Sequence, residues 1–532
     1  MTTANQRITA RTVTVVASLA LLAACSGGDP SEPPEDATAQ AGGDLVMAVQ
    51  DDPVCLDPQQ VTLTTALNIG RQLTDSLLDQ DPETGEIVPW LAEGYETNDD
   101  LTEFTFTLRD GVTFSDDTPL TAETVVKNFD ALSELGSTAP LASQYLAGYS
   151  GAEAVDESTV RVTFEAPNAA FLQGATTITL GLVSDATTEL SAEERCQQVV
   201  GTGPFVLDSY TPNNSVEISK REGYDWASEL REHDGEAHLD TVTFPVVPEN
   251  GVRAGGLGTG EFDMIQTLPA VDEPRFTTDE YRIYARANPG VAHSLVPNTE
   301  RPIVSDPAVR EAMILGTDRE EFIAIAGWSQ SVPASGPLTS ATPGFVSQAE
   351  ALTHDPEQAA AVLEDAGWVM GADGVREKDG EPLTVSVTAF YGQDILESVQ
   401  AQLAEIGLDL QINSVTAGEF FGAIAEDDYD FLGAGLTQTD PDVLRAMFSV
   451  DAVSPWAVVD DPELEEMLQE QTRLADPEER QQVIADIQAY LIDNAYIVPL
   501  FEPMQVHASV ADVSGLTFDS SSRIHLYDVR FN

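Results

Sequence analysis

Basic residues are scarce: 24 Lys and Arg stand against 90 Asp and Glu, for a formal net charge of −66. A surface of that sign repels phosphate backbones and anionic headgroups, which argues against nucleic acid as a partner. Two readings of the charge stay open, adaptation to high salt and plain solubility of an exposed protein. Under the first, the melting temperature rises from low to molar salt as self-repulsion is screened; a flat response removes that reading. Histidine is sparse too. His233, His238, His293, His354, His507 and His525 show no i+3 or i+4 ligand spacing on a helix, so neither a histidine-held metal nor a resident cofactor is expected. No G-x-S-x-G, H-E-x-x-H or G-x-x-x-x-G-K-[ST] motif occurs. Among 90 acidic residues a carboxylate pair arises by chance, so no catalytic residue is assigned. A secreted hydrolase or a surface adhesin is the alternative from a different functional class.

Long apolar runs are missing as well. The longest, roughly twelve residues from Val13 to Ala24, follows Arg7 and Arg11 and has the shape of a secretory signal. A membrane span needs about 20 apolar residues. The run ends in Leu22-Ala23-Ala24-Cys25, which resembles the bacterial lipobox, where the cysteine receives a diacylglyceryl group and becomes the new N-terminus. An ordinary cleavage site beside a cysteine is the alternative. Residues 1–24 are therefore expected to be a lipoprotein signal peptide and Cys25 the lipidated residue, holding the protein at a bilayer by acyl chains alone. The tether, 25–43, has no bulky apolar side chain after Cys25 and should behave as a leash of roughly 23 Å. Only Cys55 and Cys196 remain of three cysteines; an exported compartment permits a bridge between them, with two free thiols as the alternative.

Hydrophobic residues, at 42%, suffice for a globular body, and the length allows three or four units or one large interleaved fold. Strand and helix signals alternate. Phe104, Phe106 and Leu108 mark a half-buried strand, as do Val160, Val162 and Phe164, and then Val216 and Ile218. Helices are predicted to start at Asp306-Pro307, Asp355-Pro356, Asp461-Pro462 and Asp476-Pro477, each a capping carboxylate before a first-turn proline. Asp318 with Glu321 reads as a capping box, and Gly367 and Gly407 as left-handed helix ends.

The stretch "LAEGYETNDDLTEFTFTLRDGVTFSDDTPLTAETVVKNFDAL" (91–132) reads as a hairpin turning at Asp110-Gly111, then a helix capped by Thr121. It resembles the signature of the family 5 extracellular solute-binding proteins, the peptide- and nickel-type receptors of ABC importers. One departure is Asp117, where that family usually has glycine. The resemblance continues in order through "CLDPQQ" (55–60), "GTGPFVLDSYTPNNSVEISKREGYDW" (201–226), "GLGTGEFDMIQTLP" (256–269), "HSLVPNTERPIVSDPAVREAMILGTDREEFI" (293–323), "AEIGLDLQI" and "YDFLGAGLTQTDPD". It implies an α/β, two-lobed periplasmic-binding-protein-like fold (type II, cluster C-like). Lobe I is expected at 44–288 with an extra subdomain at 85–199, lobe II at 289–499, and a return to lobe I at 500–532. Cys55 and Cys196 then lie at the two edges of the subdomain, which favours their bridge.

The resemblance also implies function: a monomeric, extracytoplasmic receptor, anchored on the outer face of the cytoplasmic membrane, that hands its solute unchanged to a permease and ATPase. Dipeptide-binding relatives hold the peptide amine with an Asp three residues before "DPD"; that position here is Thr437. They hold the carboxylate with an Arg after the strand corresponding to "LTVSVTAF"; the turn here is Tyr391-Gly392-Gln393-Asp394. Loss of both anchors leaves longer peptides held by backbone hydrogen bonds, or a neutral or cationic solute such as a sugar. The candidate lining is Tyr391, Gln393, Thr437, Gln438, Asp440 and Trp456, with Trp328 after Gly327 a further candidate. Asp440 before Pro441 has helix capping as its alternative role, and Trp456 core packing. Trp226 and Trp368 are read as core.

Overall fold

The structure, a computed structural model, describes residues 42–326, 330–450, 452 and 456–532. The signal peptide, Cys25, the tether up to residue 41 and Trp328 lie outside the described residues. Alternating apolar residues build two large mixed sheets. The first has seven strands in the order Tyr281–Ala287, Met504–Val510, Met264–Ile265, Asp44–Ala48, Thr241–Pro245, Ser215–Lys220 and Phe205–Thr211. The second has six: Val332–Pro333, Val498–Glu502, Gly290–Pro297, Phe431–Thr437, Thr384–Ala389 and Asp409–Ser414. Each sheet organises its own large core. That of the second, from Val291 to Phe501, shares no residue with the core running from Leu45 to Met264 and from Val513 to Val529. The molecule is thus two-lobed.

Chain crossings between the lobes are adjacent. Strand Tyr281–Ala287 leaves the first sheet and Gly290–Pro297 enters the second through Asn288-Pro289; the return runs from Val498–Glu502 through Pro503 to Met504–Val510. The Asn288 amide donates to the Pro503 carbonyl at 2.8 Å, and Gln505 Nε2 to Asn288 Oδ1 at 3.0 Å. The return lies a few residues beyond the expected 499, because Pro499 is accommodated inside the strand. A register shift between His293 and Ser294 falls opposite it, and the short Val332–Pro333 strand pairs only with Phe501 and Glu502. Among the described residues, no helix is long and apolar enough to cross a membrane.

The signature does not turn back at Asp110-Gly111: Glu103–Leu108 pairs with the preceding Ala92–Thr97 and with Thr159–Phe164, while Val112 and Phe114 close a short local turn on Leu120 and Thr118, so the return strand expected there is supplied from further along the chain. With Tyr149–Ala154 these strands form a four-stranded antiparallel sheet covered by helix Ala122–Leu135. Thr121 caps that helix by accepting from the Thr124 amide. Phe104, Phe129 and Phe164 surround Phe171, with ring centroids 4.9, 5.9 and 4.8 Å from it. Asp117 sits at φ +67°, in the left-handed region where glycine costs nothing, which explains why the departure from glycine is conformationally uphill. Asp117→Gly should therefore stabilise the protein, by about 0.5–1 kcal/mol after the added chain entropy of glycine. Urea melts check this; an unchanged or lower midpoint contradicts it. Cys55 and Cys196 are joined across 141 residues, with Cα atoms 4.1 Å apart, and beside them Asp57 and Arg195 form a buried ion pair at 2.7 Å.

Candidate ligand-binding cleft

In the second sheet, Thr384–Ala389, Asp409–Ser414 and Phe431–Thr437 run parallel, so their carboxyl ends share one edge. In open α/β sheets this edge is where ligands bind. The sequence following each strand delivers side chains there. After Ala389 come Phe390 and Tyr391; after Ser414, helix Ala417–Ala425 brings Phe420 and Phe421; after Thr437 comes Gln438. Phe390 lies 4.8 Å from Tyr391 and 4.9 Å from Phe420, and Trp456 lies 5.8 Å from Phe420 and 6.0 Å from Phe421. Phe390, Tyr391 and Phe421 remain 40%, 39% and 51% exposed, a continuous aromatic patch on an acidic protein. Under Tyr391, His293 is fully buried, 4.8 Å from that ring and from Phe501, and burial pushes its pKa down to about 3. It is a neutral prop.

Thr437 and Gln438 sit where the lobes meet. Thr437 pairs with Gly290 and the Gln438 amide donates to the Pro289 carbonyl at 3.2 Å, so both are fixed to the crossing chain. Gly290 is obligatory there: at φ +118° a Cβ would fall 2.1 Å from the Leu436 carbonyl oxygen. Thr437 and Gln438 line a cavity whose other wall is first-lobe, including Leu67, Tyr145, Thr179 and Arg523. Its free space is about 30 Å³, room for water only. The Thr439 hydroxyl lies 3.2 Å from the Ser520 carbonyl and 3.0 Å from the Ser521 hydroxyl, tying the lobes together.

The remaining sequence candidates are dispersed. Tyr391, with Gly392 and Asp394, lines a wider cavity of about 700 Å³ shared with first-lobe residues such as Leu268 and Glu273. Gln393 is exposed at the start of its helix and accepts from the Ser414 hydroxyl at 2.7 Å. Asp440 has both oxygens engaged by Arg480, at 2.6 and 2.9 Å, and also accepts from the Asp442 amide at 2.8 Å. Trp456 is half-buried and belongs to the aromatic patch while also packing on the second-lobe core. Trp226 and Trp368 are core residues. Sequence reasoning missed Phe390 and Phe421, although "TAFYG" places an aromatic directly after a strand and "EFFGAIA" places two within a Thr-capped helix. It also missed every first-lobe contributor. Among the described residues, no group of three or more His, Cys, Asp or Glu is placed to hold a metal ion.

Behind the first-lobe wall lies Asp75, fully buried. Its Oδ2 accepts from Trp226 Nε1 at 3.1 Å and from the Tyr224 hydroxyl at 3.4 Å. Burial outweighs the nearby Arg71 and Arg221 and pushes its pKa up to about 7 from 3.8. A folded-state pKa raised above the unfolded one gives stability that is complete below the unfolded value and lost as pH rises through the folded value. Relative to wild type, Asp75→Asn should therefore gain stability steadily between about pH 4 and pH 7. Paired urea melts across that range test this, and a constant difference between the two proteins rejects it.

Residues 86–455 match the sequence model described as bacterial extracellular solute-binding proteins, family 5 (middle). The glutathione-binding protein GsiB of Escherichia coli (strain K12) is 27% identical over 383 residues, covering 72% of this chain and 71% of that protein. Among solved structures, NikA from Brucella suis in complex with Fe(III)-EDTA superposes with a TM-score of 0.80 at 21% identity, covering 92% of this chain and 100% of that one. The dipeptide-binding protein from Pseudoalteromonas sp. SM9913 in complex with Met-Leu gives 0.75 at 23% identity, with the same coverage. At those identities the structural likeness carries the fold alone.

Proposed function

Since the chain belongs to the bacterial extracellular solute-binding proteins of family 5, we propose that it is the lipid-anchored oligopeptide receptor of an ABC importer. Proteins of this family are extracytoplasmic transport receptors, not enzymes. The observation that carries the peptide reading is the exposed aromatic patch of Phe390, Tyr391 and Phe421 on the same strand edge as the neutral Thr437 and Gln438. Aromatic faces accept apolar side chains of varied shape, while amide and hydroxyl groups satisfy peptide backbone.

The two crossings, at Asn288-Pro289 and Pro503, are the short segments about which the lobes would turn. A solute larger than water reaches the cavity of Thr437 and Gln438 only with the lobes apart, and it favours closure by its differential affinity for the closed form. The permease then reads the closed shape, and the partner ATPase supplies the transport energy. In the same reading residues 1–24 are removed, Cys25 carries the acyl chains, 25–43 is the leash, and the receptor works as a monomer, lobe I being 44–288 with its subdomain at 85–199.

Mass spectrometry of solute co-purifying with the protein tests the ligand class. Peptide masses are expected, and each should raise the melting temperature by mass action while emerging chemically intact. Recovery of sugars alone, or conversion of the bound solute, rejects the reading. Replacement of Cys25 by alanine should release the protein from membranes; continued membrane association rejects the anchor.

A further inference from the structure

The cleft holds a cation that the motif comparison does not reach. Arg523 lies on the returning C-terminal segment, is 7% exposed, and lines the inter-lobe cavity opposite Thr437 and Gln438. Its side chain makes one long hydrogen bond, to the Thr64 hydroxyl at 3.5 Å, and among the described residues no carboxylate lies within ion-pair distance of it. The acidic groups around the cavity are already matched. Asp440 pairs with Arg480 at 2.6 Å, Asp442 with Arg445 at 2.6 Å, and Asp519 with Arg71 at 3.1 Å. The second oxygen of Asp519 accepts the amides of Ser521 and Arg523 at 2.9 and 2.8 Å, so it is committed to its own turn. In a chain of net charge −66, this small cavity is therefore lined by a cation and by no carboxylate. Burial pulls the Arg523 pKa down, more than Asp519 restores it, as for a cation short of a counter-ion.

The placement of Arg523 is rigid. The Ile524 amide donates to Asn68 Oδ1 at 3.2 Å, and Gln72 both accepts from the Leu526 amide at 2.9 Å and donates to the Ile524 carbonyl at 2.7 Å. These stitches fix the segment to helix Thr64–Leu73, whose N-cap, Leu63, offers no side-chain acceptor. A helix N-terminus and a guanidinium thus meet at one point, and both favour an anion. Across the cavity Gln438 is 6% exposed, and its Oε1 has no hydrogen-bond partner among the described residues. A buried acceptor left open costs free energy unless a donor reaches it.

We propose that Arg523 is the anion anchor of the cleft, receiving a carboxylate of the captured solute from the first lobe while Gln438 accepts a hydrogen bond from the same solute on the second. A solute that touches both residues must widen the cavity of about 30 Å³ to enter and then draws the two lobes around itself, so the anchor couples recognition to closure. The inference rests on the receptor reading and narrows its ligand to carboxylate-bearing solutes.

Calorimetric titration of the full chain with matched probes tests it: tetra-alanine against its C-terminal amide, and galacturonate against galactose. Wild type should bind the acid member of a pair about ten- to a hundredfold more tightly, the range for a charge-assisted buried contact. In Arg523→Gln that ratio should collapse to near unity, and Arg523→Lys should restore part of it without the bidentate fork. Equal affinity of wild type for tetra-alanine and its amide overturns the anchor and leaves the peptide receptor standing. Binding of galacturonate over galactose, with both peptides silent, overturns the peptide reading and supports the anchor. Silence from all four probes overturns both. An acid preference retained in Arg523→Gln assigns the carboxylate to another group and also overturns the anchor.

Discussion

Replacing Cys55 and Cys196 together by serine should lower the unfolding free energy by about 4–5 kcal/mol, the chain-entropy value for a closed loop of this size. The bridge spans 141 residues and holds together the two ends of the segment that carries the four-stranded sheet and its helix. Without it, the unfolded chain regains the freedom of that whole loop. The folded ends keep non-covalent ties, among them the Leu56 amide to the Cys196 carbonyl at 3.0 Å, Gln60 Nε2 to the Ala192 carbonyl at 3.1 Å, Gln59 Nε2 to the Gly181 carbonyl at 2.8 Å and the Asp57–Arg195 pair at 2.7 Å. That pair is buried on both sides, so its Coulomb gain is largely offset by desolvation and it does not replace a covalent link. The effect should fall on the first lobe, since the second-lobe core contains no residue from this segment. Urea unfolding followed by Trp fluorescence reads it. A loss under about 1 kcal/mol means that the native ends are held by packing rather than by the bridge.

Sequence pattern was legible wherever structure is set by neighbours along the chain. The four Asp-Pro starts are helix N-caps, each carboxylate accepting a first-turn amide: Asp306 from Ala308, Asp355 from Gln358, and Asp461 and Asp476 from two amides each. Gly367 and Gly407 take φ +92° and +83°. The Asp318–Glu321 box is only half present. Asp318 Oδ1 accepts from the Glu321 amide at 3.0 Å, but the Glu321 carboxylate accepts from Gln402 Nε2 at 2.9 Å, a residue of a packed neighbouring helix. Tertiary contact won there. The same physics limited the site. Thr437 and Gln438 were found because their strand announces itself, whereas the opposite wall is assembled from Leu67, Tyr145, Thr179 and Arg523. Those residues are tens to hundreds of positions apart, and no local period ties them. Arg523 in particular is anchored through Asn68 and Gln72, more than 450 residues earlier.

Arg480→Ala should destabilise the protein by about 3–5 kcal/mol, the cost of leaving a buried carboxylate without its partner. Asp440 has a side chain 4% exposed and faces the Arg480 guanidinium in a bidentate fork at 2.6 and 2.9 Å. Arg480 also donates to Gln471 Oε1 at 2.9 Å, so its loss strips a second acceptor. Asp440→Asn combined with Arg480→Ala should recover a large part of the stability, because the uncompensated charge disappears with the carboxylate. The cycle separates two roles for Asp440. As a direct ligand contact, Asp440 would lose solute affinity on conversion to Asn while leaving urea stability nearly unchanged. As the brace of the turn that carries Thr437 and Gln438, it should instead show the stability loss first, with coupling to Arg480 of several kcal/mol in the double mutant. Additive single effects would detach Asp440 from Arg480 and return it to the solute. Strong coupling would mean that the turn reaches the cleft already locked, so that Gln438 meets its ligand without first ordering its own backbone.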